Sequence, residues 1–471
     1  MLDSIITFSF RFMKWSIKNA SGFSPHGLLK VCLIFALLLT TLMAVTSNDN
    51  RHPDEFWHLA AAKYYTNHFL PPEIGNPSVR DSYSVFGVSY LNYHWAEYFL
   101  AGKFALLISP IISNELLAVR LFNVFLFLWL VILFAYRAGE ENQEFIIPCF
   151  LLVTPQVWYV FSYVNNDAFA LFVSLLVAYQ IAYEKSFLNE FLQAEMLRAK
   201  LHGGILFGVL IGLLLIAKSN YFAFLIFAGL WLLFKFPLNF NFFKRYAFIG
   251  LVAVLVLTFR CGLDFYVNGE TNFVGFSYVN KYFGNLENKG KLLTYQEEVA
   301  EYRFKPSTLE NDLMNSSPDL TLKAKGVPFK DVFSKWGWHE ISFKSSVGVY
   351  GYMTIFAPPN FYRLAGFVYL AFGLYLIVAI IRSKRRESII QLVIFGTAFA
   401  LTAFISAYLS WTYAFQAQGR YLFPIIAMVG LLVHANRRLL HNFAVHAFII
   451  SAFLLSVYSF IFVGLARINV K

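Results

Sequence analysis

Runs of apolar residues alternate with short polar breaks along the chain, and most approach the roughly 20 residues that cross a hydrocarbon core as a helix. They fall at 28–47, 115–136, 143–163, 167–184, 204–218, 220–234, 246–263, 361–381, 389–410, 421–435 and 443–465. The pattern predicts an all-α integral membrane protein with about eleven transmembrane helices. Two polar stretches interrupt it. The first, 48–113, holds an apolar piece, Trp95 to Ile112, broken by Glu97, Lys103 and Pro110, which is expected to lie along the membrane surface. The second, 264–360, opens with a mixed-charge region around Glu297, Glu298 and Glu301 that reads as a solvated helix. It closes on WGWHEISFKSSVGVYGYMTIFAPP, an aromatic, Gly-rich run placed at the membrane surface. The chain thus divides into a basic interfacial segment 1–27, a membrane core 28–263 (spans 1–7), a large loop 264–360, and the C-terminal spans 8–11 in 361–471.

Composition supports the membrane reading: 58% of residues are hydrophobic and 14% charged, against roughly 25% charged in soluble domains. The formal net charge of +11 does not imply a nucleic-acid partner, because the cations follow the loops. Arg11, Lys14 and Lys18 precede the first span. Arg137, then Lys185, Arg198 and Lys200, then Lys235, Lys244 and Arg245, then Arg382, Lys384, Arg385 and Arg386, then Arg437 and Arg438 occupy alternate breaks. By the positive-inside rule these breaks are cytoplasmic, as is the N-terminus, and the C-terminus and both long loops lie outside. Cys32, Cys149 and Cys261 show neither disulfide nor zinc spacing.

The remaining charges break that rule, and ionisable groups at span ends are costly enough to mark candidate sites. In RHPDEFWH, directly after the first span, Asp54 and Glu55 stand side by side as candidate catalytic carboxylates, Asp54 the better base. Pro followed by acids is also how an ordinary helix begins. Asp54 and His58, spaced i, i+4, share a helical face that can bind a divalent cation, with His52 nearby. In SYVNNDAF, Asn165 and Asn166 suit a tight turn, and Asp167 opens a span where an acid is normally avoided. In AKSNY, Lys218 ends a span on the outer side and Tyr221 begins the next; a phosphate explains the lysine better than snorkelling does. In QAQGRYLFP, Gln418 and Arg420 open the tenth span, Arg420 with a fork suited to phosphate oxygens. Arg120 and Arg260 are further phosphate candidates, or equally side chains that snorkel to the interface. Acids able to take a hydroxyl proton and cations able to hold phosphate point to transfer from a phosphate-bearing lipid.

At HPDEFWH, SYVNNDAF, AKSNY, SSVGVYGYM and QAQGRYLFP, in this order, the sequence resembles the GT-C class of membrane glycosyltransferases, and within it a bacterial family carrying a domain-of-unknown-function label. The resemblance implies a GT-C-like fold in the bacterial plasma membrane. It also implies inverting or retaining transfer of a sugar from a polyprenyl-phosphate donor to a glycan or lipid acceptor at the outer face. Asp54 and Glu55 map to the acidic motif, Asp167 to the second-loop acid, and Lys218 and Arg420 to the basic positions. Two other classes compete: a transporter or flippase for a lipid-linked sugar, and a non-catalytic polyprenyl-lipid-binding protein. A transporter would place its ionisable groups near mid-membrane.

Overall fold

The structure, a computed structural model, describes residues 25–93, 95–137, 149–196, 198–270, 290–307, 322–323, 325–412 and 415–470. The expected interfacial segment, with Arg11, Lys14 and Lys18, lies outside the described residues, as do the first part of the run 143–163 and much of the loop 264–360.

The chain is a multi-pass membrane protein, but not the expected GT-C-like bundle of about eleven full spans. Among the described residues six helices are long and apolar enough to cross a membrane. These are α1 (Pro25–Thr46), α4 (Glu115–Arg137), α10 (Phe240–Asn268), α12 (Pro359–Arg382), α13 (Arg386–Thr412) and the stretch Phe443–Leu465, which includes α15 (Asn442–Ser459). A seventh is counted if α6 (Asp167–Ala182) and α7 (Phe187–Gln193), bent by 43° across the break between them, form one span. Three other expected spans are shorter apolar helices: α8 (Leu201–Ala217), Ser219–Lys235 with α9 (Phe222–Lys235), and Gly419–Ala435 with α14 (Pro424–Ala435).

The run 143–163 departs furthest. Its described part is a 3₁₀ turn, Phe150–Leu152, and the six-residue helix α5 (Pro155–Val160), which starts at Pro155 with the Thr154 side chain as its cap. Every residue from Cys149 to Ala170 is buried. A broken helix surrounded by protein is tolerated where one facing lipid is not, and hydropathy alone does not tell the two environments apart.

Burial sorts the helices into layers. The central α6 is buried along almost its whole length. By contrast, only 17% of the apolar window is buried in α10 and in α13, which present aliphatic and aromatic surface outward. On α8, Gly204, Gly208 and Gly212 form a stripe at i, i+4, i+8 against α10. A Cβ on Gly208 would meet the Ile249 carbonyl at 2.8 Å, and one on Gly212 the Ala253 carbonyl at 3.0 Å. Small residues bring these two backbones together, as is usual where lipid supplies no hydrophobic drive for helix association.

The polar stretches fold onto one end of the bundle. Between α1 and α4, α2 (Glu55–Asn67) packs against α3 (Trp95–Ile108), the piece expected at the surface. The expected solvated helix is Lys291–Val299; it docks on the first loop through Gln296 Nε2 to the Phe86 carbonyl (2.8 Å) and Tyr295 against Tyr83. The aromatic end of the large loop forms α11 (Trp338–Val347) and a hairpin of β1 (Val349–Tyr350) and β2 (Ile355–Phe356), paired Val349 with Phe356 and Tyr350 with Ile355. The expectation of a purely α protein missed this hairpin, whose turn holds Gly351 and Met353 at positive φ.

The opposite end collects cations. Lys235 donates to the Ile181 carbonyl and the Asn189 side chain, and Arg245 to the carbonyls of Leu192 and Ala194. Lys235 and Arg245 thus lie at the end of the bundle away from Arg120 and Asp167. In a variant with its native cysteines replaced, single cysteines at Asn114 and Lys384 should react with a membrane-impermeant maleimide from opposite sides of sealed vesicles. Labelling of both from one side would contradict this arrangement.

Candidate functional site

The site is built where the chain leaves α1 and turns into α2. The two neighbouring acids there have different fates. Glu55 is fully buried in a two-pronged ion pair with Arg120, Nε to Oε1 at 2.8 Å and Nη2 to Oε2 at 2.6 Å. Arg120 also donates to the carbonyls of Ala44 (3.1 Å), Ser47 (2.6 Å) and Asn48 (3.1 Å), groups that the end of α1 leaves without helical partners. Glu55 accepts the Val164 N–H at 3.1 Å. Burial pushes the Glu55 carboxyl up, and Arg120 with the Val164 N–H pulls against that push. Glu55 and Arg120, expected as catalytic and phosphate-binding residues, are thus spent on each other and on the backbone. Arg260 is committed in the same way, to Asp264 and to the Asn92 carbonyl.

Asp54 stands apart. It is the residue before α2, in the left-handed region (φ 60°), and its side chain makes no cap bond to that helix. The ordinary explanation of an acid at a helix start therefore fails for Asp54, whose backbone adopts a conformation uncommon outside glycine, asparagine and aspartate. Its carboxylate, 30% exposed, lies 3.6 Å from Nη2 of Arg420.

Arg420 bridges to a second acid. Its Nε is 3.8 Å from Oδ2 of Asp167, and Asp167 Oδ1 is 2.5 Å from the Lys218 ammonium. Lys218 also donates to Asn166 Oδ1 at 3.2 Å. Asn165 holds this turn in place: its Oδ1 accepts the N–H groups of Asp167 and Ala168, and its Nδ2 donates to the Val160 and Tyr163 carbonyls. The result is a quartet of two acids and two bases, Asp54, Arg420, Asp167 and Lys218, drawn from four separate segments. Arg420 is its loose member. Both of its ion pairs are long, its Nε has no hydrogen-bond partner, and neither does Asp167 Oδ2.

Arg420 is set by a close backbone approach. The Gly419 N–H donates to Ser345 Oγ at 2.7 Å, and a side chain at 419 would collide with the Ser346 backbone. The large loop, through α11, thereby fixes the backbone that carries Arg420. Tyr163 and Tyr421 lie against it, and Tyr421 donates to Gln416 Oε1 at 2.5 Å. Gln418 contributes its carbonyl, to the Tyr421 N–H. Tyr221 is wholly buried close to Asp167, with its hydroxyl lacking a hydrogen-bond partner.

The histidines are engaged. Nδ1 of His58 meets the Tyr98 hydroxyl at 2.6 Å and its ring stacks on Tyr90. His52 stacks on Tyr163 and its Nδ1 shares a hydrogen bond of 3.0 Å with the Tyr159 hydroxyl, which also accepts the Gly351 N–H. Burial holds the His52 imidazole well below its usual range, and it is neutral. Among the described residues no group of three or more His, Cys, Asp or Glu is arranged to hold a metal, so the Asp54–His58 spacing gains no further ligand.

Tyr90, Tyr163 and Glu97 belong to this neighbourhood and were not singled out as site residues. Tyr90 lies within charge range of Asp54, Arg420 and Asp167. Glu97 had a visible signal, an acid inside an apolar helix. It is buried, its Oε2 has no hydrogen-bond partner, and Asp167 and Lys218 are the charges it feels. Burial, reinforced by Asp167, holds its carboxyl well above the carboxylate range. Comparison with protein-family models, curated proteins and solved structures finds no match to this chain, so its class rests on its own helices.

Two outcomes follow. Glu55→Gln leaves Arg120 buried without its counter-charge and should lower stability by about 3–5 kcal/mol; an unchanged unfolding midpoint in detergent would deny the pair this role. Glu97, protonated when folded, binds more protons than the unfolded chain above the free carboxyl value of about 4.3. Stability should therefore fall as pH rises above that value, and Glu97→Gln should flatten the fall; parallel pH profiles of wild type and variant would refute a neutral Glu97.

Proposed function

We propose that the protein is a membrane glycosyltransferase that moves a sugar from a polyprenyl-phosphate donor to a hydroxyl of a cell-envelope glycan or lipid. The observation that carries this reading is the loose Arg420, with an unpartnered Nε, standing between a partly exposed carboxylate and the buried Asp167–Lys218 pair. A guanidinium whose carboxylate contacts are both long, at 3.6 and 3.8 Å, suits an incoming phosphate, and Asp54 beside it suits the acceptor hydroxyl. The order of the five motifs and their resemblance to membrane glycosyltransferases support the same assignment.

In this mechanism Asp54 takes the acceptor hydroxyl proton as the oxygen bonds to the anomeric carbon. The bond from that carbon to the donor phosphate oxygen breaks, and its electron pair leaves with polyprenyl phosphate. Arg420, backed by Lys218, stabilises the growing phosphate charge. Asp167 holds the lysine and guanidinium in place. The basic end of the bundle would face the cytoplasm of a bacterial plasma membrane, with the site at the outer face. Ionisable groups gathered at one end of the bundle favour this reading over transport, which calls for them near mid-membrane.

Purified protein given a polyprenyl-phosphate sugar and an acceptor should release polyprenyl phosphate. Asp54→Asn keeps a residue that tolerates positive φ and should cut turnover by about 10²–10⁴-fold. Arg420→Lys should cut it by about 10²-fold. Turnover unaffected by Asp54→Asn would remove the proposed base, and no release by wild type with any such donor would overturn the assignment.

A further inference from the structure

The hairpin of β1 and β2 carries an aromatic ring to the neighbourhood of Asp54. Its apex is tied to the loop between α1 and α2 in two ways. The Gly351 N–H donates to the Tyr159 hydroxyl at 3.0 Å, and that hydroxyl shares a hydrogen bond with His52. The Tyr352 hydroxyl donates to Asn50 Oδ1. The backbones are close as well, since a Cβ on Gly351 would lie 3.7 Å from the Arg51 carbonyl. Gly351 and Met353, both at positive φ, put Tyr352 at the tip of the turn. Tyr352 nonetheless stays 47% exposed, so with its hydroxyl engaged it offers its ring outward. Asp54, Glu55 and Asp49 are the charges that its hydroxyl feels, and Asp54 is itself 30% exposed.

A tyrosine at a membrane surface commonly sits at headgroup level with its polar tip in the interface. Here that tip is bonded to the protein's own Asn50, and the charges acting on it are acidic, which disfavours an anionic headgroup. A sugar ring fits better. One face of a pyranose is lined by C–H bonds of partial positive charge, which meet the negative face of an aromatic ring. Its rim carries hydroxyls that a carboxylate accepts. We propose that Tyr352 is the platform of an acceptor subsite, on which a neutral sugar ring of a glycan stacks while a hydroxyl on its rim reaches Asp54. The platform loses little freedom on binding, because Asn50 already holds its far end. An anionic sugar is repelled by Asp49 and Asp54. The assignment rests on the glycosyltransferase reading for the fate of that hydroxyl, and it selects a glycan over a lipid as the acceptor.

Saturation-transfer NMR on the full chain in a sugar-free detergent, with no donor present, tests the subsite apart from turnover. The probes are cellotriose, chitotriose and the anionic trigalacturonate. Saturating the protein's aromatic protons should reach the ring C–H protons of a neutral trisaccharide but not those of trigalacturonate. Tyr352→Ala should weaken binding of the neutral sugar about 3–10-fold, the range of one aromatic stacking contact. Tyr352→Phe, which keeps the ring, should retain most of it. No transfer to either neutral sugar, equal transfer to the anionic one, or transfer unchanged in Tyr352→Ala would overturn the proposal. In turnover assays Tyr352→Ala should raise the acceptor KM by a similar factor and leave the donor KM as it is. Sugar binding that depends on Tyr352, without any release of polyprenyl phosphate, would sustain the subsite and count against the transfer reaction.

Discussion

The Glu55–Arg120 pair is the interaction on which the rest of the site end depends. A helix that ends at a membrane surface leaves carbonyls without partners, and buried ones must be satisfied. Here one guanidinium takes three of them, at Ala44, Ser47 and Asn48, while binding Glu55 by both oxygens. Glu55 in turn accepts the Val164 N–H just before the turn that starts α6. The end of α1, the start of α2, the N-terminal end of α4 and the approach to α6 are thus joined through two side chains. Two charges with so many hydrogen bonds meet the condition under which burying an ion pair is tolerable.

The adjacent acids divide the work because of this anchoring. With Glu55 held inward, the chain must bend at Asp54, which takes the left-handed conformation and leaves its carboxylate outside the helix's own hydrogen bonding. The neighbouring elements converge on the space that this creates. Asn165 sets the turn presenting Asn166 and Asp167, Lys218 reaches across from the end of α8, and α11 holds Gly419 against its serines so that Arg420 enters from the far side of the sequence. Each acid and base is positioned by a different local device. Their meeting is a property of the tertiary packing.

Much of this was legible in the sequence, and the misses have physical causes. Asp54, Asp167, Lys218 and Arg420 were visible as charges that break the pattern of a membrane protein, and the structure places them together. Their pairing was not visible, because nothing in a linear pattern says that Arg120 will meet Glu55 and leave Arg420 loosely held. The span count erred for a related reason. The residues from Cys149 to Val164 are as apolar as a lipid-facing helix, yet their surroundings are protein, so Thr154 and Pro155 can break the helix there. Glu97 sits in an apolar helix whose burial depends on α2 and α4, partners known only from the fold.

The quartet of Asp54, Asp167, Lys218 and Arg420 carries two charges of each sign and sums to zero. A compact neutral set has a steeply decaying field, and beyond a Debye length of about 8 Å at physiological salt little of it survives. A bound partner is therefore not drawn in from a distance, as it would be by a uniformly basic cleft. Recognition begins at contact, when an anion reaches the guanidinium and competes with the carboxylates already beside it. Occupancy of such a site should respond weakly to ionic strength and strongly to how a ligand is delivered within the plane of the membrane.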